Sequence, residues 1–149
     1  MPHHPPELVA LDPDEFHAKY VGWTGDGRQF FLTAAFVPAR PGSRGLEFLA
    51  LYLFDANGHL LRADIEDLGP RESMDHAARE ERSQAKLATL GNISYRRIVV
   101  ALFTLTHDDV EFGLVQREPE SPGEPWAVEA QPGNYMAFFE PWDSGEYDT

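Results

Sequence analysis

His107-Asp108-Asp109 is the triplet whose residue types come closest to chemistry. One imidazole and two carboxylates at the end of an apolar run could hold a metal ion or pass a proton. The same residues are also good turn formers, because aspartate bonds its own backbone and tolerates tight turns. The turn reading is the stronger one, so the triplet stays a weak catalytic candidate. The parts of familiar small-domain chemistries are missing from the chain: no His-Glu-x-x-His, no glycine-rich phosphate loop, no Gly-x-Ser-x-Gly elbow. Gly25-Asp26-Gly27 lacks the helix and lysine of a phosphate loop and reads as a tight turn. Cysteine is absent, which removes thiol chemistry and disulfides. His3, His4 and His76 read as exposed side chains, not ligands. No cofactor and no metal are expected, and the balance leans away from an enzyme.

The second cluster is the end of the chain. Beyond Arg117 lie eight of the 25 acidic residues and no Lys, Arg or His, interleaved with Trp126, Tyr135, Phe138, Phe139, Trp142 and Tyr147. Aromatic anchors among carboxylates suit a surface that grips Arg- and Lys-rich partners through charge pairs and cation–π contacts. The expected partner-binding residues are Trp126, Tyr135, Glu140, Trp142, Asp143, Glu146 and Tyr147. The competing reading is structural: Tyr135–Phe139 as a strand with one buried side, Trp142 over its end, and a solvated acidic tail over 141–149.

Composition narrows the function classes. The chain has 149 residues, 42% hydrophobic and 12% aromatic, and a net charge of −13 from 25 acidic against 12 basic residues. That length and apolar content predict one globular domain spanning 1–149, with the Pro-rich residues 1–11 unstructured. Nucleic acid is excluded as a partner by the missing basic face. No apolar run approaches a membrane span or the core of a signal peptide, so a cytoplasmic protein is expected.

The elements that must position these clusters are organised around Leu46–Asp67, two apolar β-patterned runs joined across Asn57-Gly58, a strong hairpin signal. A two-residue loop would set Tyr52 opposite Ala63. A three-residue loop, Ala56-Asn57-Gly58 with Gly58 left-handed, would set Leu53 opposite Leu61 and Leu49 opposite Ile65. The second gives a uniformly aliphatic face and is favoured. Asp12 and Pro13 are start signals for a short helix over about 12–20, and Gln29–Val37 is a strand. Ser73 to Leu90 is the long helical pattern, capped by Ser73 and stopped by Gly91, with a shallow stripe of Met74, Ala77, Ala78, Ala85 and Ala88 that Leu87 can join. Asn92–Thr106 is the longest β-pattern, followed by strands at Val110–Arg117, Trp126–Ala130 and Tyr135–Phe139. The fold class expected is α+β. One twisted antiparallel sheet of about six or seven strands, curled towards a half-barrel, carries the main helix (73–90) and the short N-terminal helix. A split into two smaller sheets is the alternative.

Three blocks, GRQFFLTAAFVP (Gly27–Pro38), GLEFLALYLFDANGHLL (Gly45–Leu61) and PGNYMAFFEPWDSGEYDT (Pro132–Thr149), resemble blocks shared in this order by a family of small, acidic, uncharacterised bacterial cytosolic proteins. The resemblance implies a bacterial cytosolic origin and no particular activity. Two functions are therefore expected to compete. One is a non-enzymatic domain, immunity-protein-like, that docks a basic protein partner on its acidic aromatic end. The other is a small-ligand-binding or hydrolytic domain with a pocket in the curved sheet near His107 or His59. Either could be a monomer or a homodimer.

Overall fold

The structure, a computed structural model, describes residues 6–42, 44–70, 75–133, 135–143 and 147–148. Its elements run β1 (Leu8–Leu11), β2 (Tyr20–Thr24), β3 (Gln29–Val37), β4 (Leu46–Phe54), β5 (Leu60–Pro70), α1 (His76–Ala88), β6 (Ile93–Tyr95), β7 (Ile98–Ala101), β8 (Phe103–His107), β9 (Val110–Arg117), β10 (Ala127–Gln131), β11 (Ala137–Phe138) and β12 (Tyr147–Asp148). They form three antiparallel sheets, ordered β5-β4-β3-β2-β6, β12-β11-β10-β9-β8 and β1-β7. Of the described residues 50% are in strands and 10% in the helix, so the fold is mostly β. The expected α+β single sheet is thus corrected.

The cause of that difference lies in one stretch. Asn92–Thr106 alternates apolar residues on both faces and reads as one long interior strand, but it breaks at the exposed pair Arg96-Arg97 and at Leu102. Its three pieces serve three sheets: β6 pairs with β2, β7 with β1, and β8 with β9. A run that is apolar on both faces reports that both are covered, and it does not report which sheet covers them.

The short N-terminal helix is absent from the described residues. Asp14 instead closes a turn, its Oδ1 accepting from the backbone N–H of Phe16 (2.8 Å) and Ala18 (3.1 Å). Aspartate offers a turn the same bond it offers a helix start, and the few residues before Gly22 are too short to repay helix nucleation. Residues 8–11, expected to be unstructured, are β1 with Val9 and Leu11 fully buried. Their unbroken apolar run outweighs the prolines before them. His3 and His4 lie outside the described residues.

The hairpin mixes both expected registers. Asp55 N–H donates to His59 O (2.9 Å) across the three-residue loop, with Gly58 at φ +92° as that loop requires. A bulge at Leu61 then shifts the pairing by one residue, so Tyr52 meets Ala63 and Leu49 meets Glu66. Leu61 is pushed out, 53% exposed. The favoured all-aliphatic pairing therefore fails beyond the loop, because one inserted residue exchanges the faces of a strand.

β4 is buried on both sides. Leu49, Leu51 and Leu53 join Phe30 and Leu32 beneath α1, against Leu87 and Leu90. Phe48, Tyr52 and Phe54 face the other sheets, where Phe48 meets Phe112 edge-on at 5.2 Å and Tyr52 meets Phe103 at 4.8 Å. The layers are helix, first sheet, then the second and third sheets. The helix cap is Asp75, accepting from Ala77 and Ala78 N–H at 3.0 and 3.2 Å; Ser73 and Met74 lie outside the described residues. Its inward side is Ser83 and Leu87, and Ala77, Ala85 and Ala88 of the expected stripe are exposed. Burying one leucine outweighs burying several alanines, so Leu87 sets the rotation. Lys86 and Arg82 complete the docking by pairing with Asp64 and Glu66 on β5. Among the described residues no helix is long and apolar enough to cross a membrane.

Candidate functional site

Three places gather polar groups. At the first, His107-Asp108-Asp109-Val110 is the tight turn between β8 and β9. His107 faces Val110, and Asp108 and Asp109 sit at φ 50° and 62°, the mirror-image geometry that two-residue hairpins prefer. The fold adds a residue that sequence reading passed over, Asp67 of β5. His107 Nε2 lies 2.7 Å from Asp67 Oδ1 and 3.4 Å from Asp108 Oδ2, and the three ligand-type atoms fall within 4.8 Å of one another. The hydrogen bond from His107 holds the Asp67 carboxyl below its ordinary range, and Asp67 beside it pushes Asp108 up. Asp109 is exposed and outside the trio. The trio sits on an open rim with Asp67 and Asp108 exposed, and its groups bond one another across the two large sheets. Such an arrangement works as a latch.

The second place is the end of the chain. Tyr135 is 8% exposed, its ring 4.7 Å from that of His17 and 5.9 Å from Phe36. Tyr147 packs on Phe138 at 4.9 Å, and its hydroxyl reaches Asp12 O (2.5 Å) and Asp14 Oδ2 (3.2 Å). Burial pushes both phenols up. Trp126 is half-buried at the start of β10, Glu140 and Asp143 are exposed, and Glu146 lies outside the described residues. Trp142 rests one side on the core, and its carbonyl accepts from Ala10 N–H at 3.0 Å, laying the end of the chain along β1. Pro6, Glu7 and Leu8 thereby face Glu140, Pro141, Trp142 and Asp143 across an open groove of about 710 Å³. Leu8, Pro6, Pro141 and Trp142 supply the apolar surface, and the three exposed acids stand beside it. The N-terminal half of this groove was hidden in the sequence by its proline-rich start.

The third place is a cleft of about 400 Å³ between the first sheet and the N-terminal half of α1. Leu32, Ala34 and Leu49 form part of its lining, with His17 on the 14–18 turn, Glu47 of β4, and Arg79 and Ser83 of α1. Glu47 is 6% exposed and Ser83 is 4% exposed. Burial holds the His17 imidazole below its usual range, with Asp14 opposing, Arg79 adding to the depression and Glu47 opposing. The tyrosine hydroxyl of Tyr20 bonds Glu80, and Gln84 Nε2 donates to Glu80 Oε1 at 3.1 Å. None of these residues was singled out from sequence for a site. The signal present was a carboxylate, Glu47, at the head of the row Leu49-Leu51-Leu53. The space between the large sheets, where a pocket of a curved sheet would lie, is filled by Phe48, Tyr52, Phe54, Phe112 and Phe138.

Comparison with protein-family models, with curated proteins and with solved structures finds no match to this chain.

Proposed function

We propose that this chain is a protein-binding domain without catalysis, docking a basic protein partner in the groove where its two ends meet. The observation that carries the reading is the convergence of Glu7, Glu140 and Asp143 around Trp142, Pro141 and Leu8. A lysine or arginine side chain needs apolar surface for its methylenes, an aromatic face for its cation and carboxylates for its charge. The groove offers all of them. The net charge of −13 extends the attraction beyond the contact and repels a second copy of the chain. A neutralised basic toxin would be one such partner, as for an immunity protein. The proposal places Trp142, Glu140 and Asp143 at the contact and gives Tyr135 and Tyr147 the task of holding the segment in place.

The experiment is capture of partners from a native lysate on immobilised protein, wild type beside the triple variant Glu7→Lys, Glu140→Lys, Asp143→Lys. All three positions are exposed, so the triple variant keeps its fold, each substitution costing within about 0.5 kcal/mol. A basic protein retained by wild type and lost by the variant supports the reading. Equal retention by both, or no basic protein on either, refutes it.

A further inference from the structure

The helix and the sheet beneath it both change character at the same end. Along β4 the side facing α1 runs Leu53, Leu51, Leu49 and then Glu47; along α1 the buried side runs Leu87, Ser83 and then Arg79. Two apolar rows that pack against each other thus turn polar at facing positions, and there the layers part into the cleft of about 400 Å³. A carboxylate only 6% exposed carries a desolvation cost that a leucine in its place would not. The walls are held from behind. Asp14 Oδ1 fixes the turn bearing His17, Ser83 Oγ donates to Arg79 O at 3.0 Å, and the Tyr20–Glu80–Gln84 bonds brace the helix edge. The volume lies within the ~300–1,000 Å³ of small-molecule sites. The cleft shares no lining residue with the groove of the proposed partner site.

We propose that this cleft binds a small zwitterion of the amino-acid type, its ammonium on Glu47, its carboxylate on Arg79 and its body on Leu32, Ala34 and Leu49. The charges decide the class. Glu47 and Arg79 supply one anion and one cation over an aliphatic floor, which suits a ligand carrying both signs. Arg79 gives Nη2 to His76 Nδ1 at 3.1 Å, and a guanidinium has five N–H donors, so it can clasp a carboxylate as well. Glu47 interacts with other groups of the chain, and its two oxygens offer about four lone-pair sites, so an ammonium can share them. His17 stays neutral near pH 7 and adds no competing charge at the end wall. Glu15, Lys19 and Glu80 also line the cleft, and the charge of Lys19 is engaged by that of Glu80.

The test is amide NMR of the full chain, titrated with each standard L-amino acid in turn to ~10 mM. At least one is expected to shift the amides of Ala34, Leu49 and Ser83 in a saturable way. Its analogues lacking only the amino group or only the carboxylate are expected to bind about tenfold more weakly, the loss of one charge-assisted bond. Glu47→Gln should cost a similar factor against the amino acid and little against the deaminated analogue; Arg79→Gln should show the converse. The proposal is overturned if no amino acid shifts those amides, or if either singly charged analogue binds as well as the zwitterion. The analogue series on unaltered protein decides the matter even if a variant does not fold.

Discussion

Replacing Gly58 by alanine, beside Gly123→Ala as a control, separates backbone strain from packing. The two glycines share a conformation, φ +92° and φ +90°, so alanine meets the same left-handed penalty at both, about 1–2 kcal/mol. Their surroundings differ. Nothing lies within 4 Å of a Cβ at position 123, whereas at 58 it falls 2.6 Å from Val99 O and 2.9 Å from Val100 Cα. Those atoms belong to β7, which is held by its pairing with β1 and by Val99 N–H donating to Gln29 Oε1 at 2.6 Å. The hairpin tip must therefore withdraw, and with it goes the bond from Ala101 N–H to Gly58 O at 2.9 Å. A bond lost from such a packed place costs about 1–3 kcal/mol. Gly58→Ala should lose about 2–5 kcal/mol in all and Gly123→Ala about 1–2, against the ~5–15 that hold a domain together. Urea unfolding followed by the fluorescence of Trp23, Trp126 and Trp142 reads both, and hydrogen exchange at Ala101 should quicken only in the first. Equal losses in the two variants would refute the docking of the hairpin tip on β7.

Other expectations follow from burial and charge. Leu87→Ala should cost about 2–4 kcal/mol in a denaturant midpoint, as a side chain 3% exposed, and Ala85→Ser less than about 0.5, as an exposed one; similar losses would mean the helix is rotated otherwise. Tyr52 and Tyr135 are buried with their phenols raised above the ordinary value, so the folded state keeps protons that the unfolded state releases near pH 10. Their contribution is complete below that pH and is lost as pH rises, by about 1.4 kcal/mol per unit for each. Phenolate absorbance from these two should appear only with unfolding, and earlier appearance would contradict their burial. In a carboxyl NMR titration Asp67 should deprotonate below its ordinary range and Asp108 above it. Asp67 then contributes stability that is lost as pH falls through acid values, Asp108 opposes it, and His107→Ala should move Asp67 upward. An unmoved Asp67 would remove His107 as its partner.

What the sequence disclosed depended on how local the signal was. Gln29–Val37 and Val110–Arg117 are strands with the bounds their patterns imply, and Asn57-Gly58 marks a turn, because each signal sits in adjacent residues. The bulge at Leu61 has no such local signature, and it reversed the pairing expected of Leu49 and Leu53. The three-way division of Asn92–Thr106 is a tertiary outcome that two arginines and a leucine only punctuate. The same holds for the sites. The His107 triplet was visible as a sequence, but Asp67 joins it only through the pairing of β4 with β5. The acids of the C-terminal end were equally visible, whereas Glu7 and Leu8 reach them through β1, a strand concealed behind prolines. Which aromatics the fold consumes could not be read from spacing: Tyr135 fills space that Tyr147 and Trp142 only border.

If a basic partner is met at the groove of Glu7, Leu8, Glu140, Trp142 and Asp143, the association rate of a captured partner with immobilised protein depends on salt. Screening shortens the reach of charge from ~10 Å at 0.1 M to ~3 Å at 1 M. The rate should fall at least about tenfold over that range. The Glu7, Glu140 and Asp143 reversals should reproduce the loss at low salt. A rate indifferent to salt, or a partner bound equally well by the triple variant, would contradict docking at this groove.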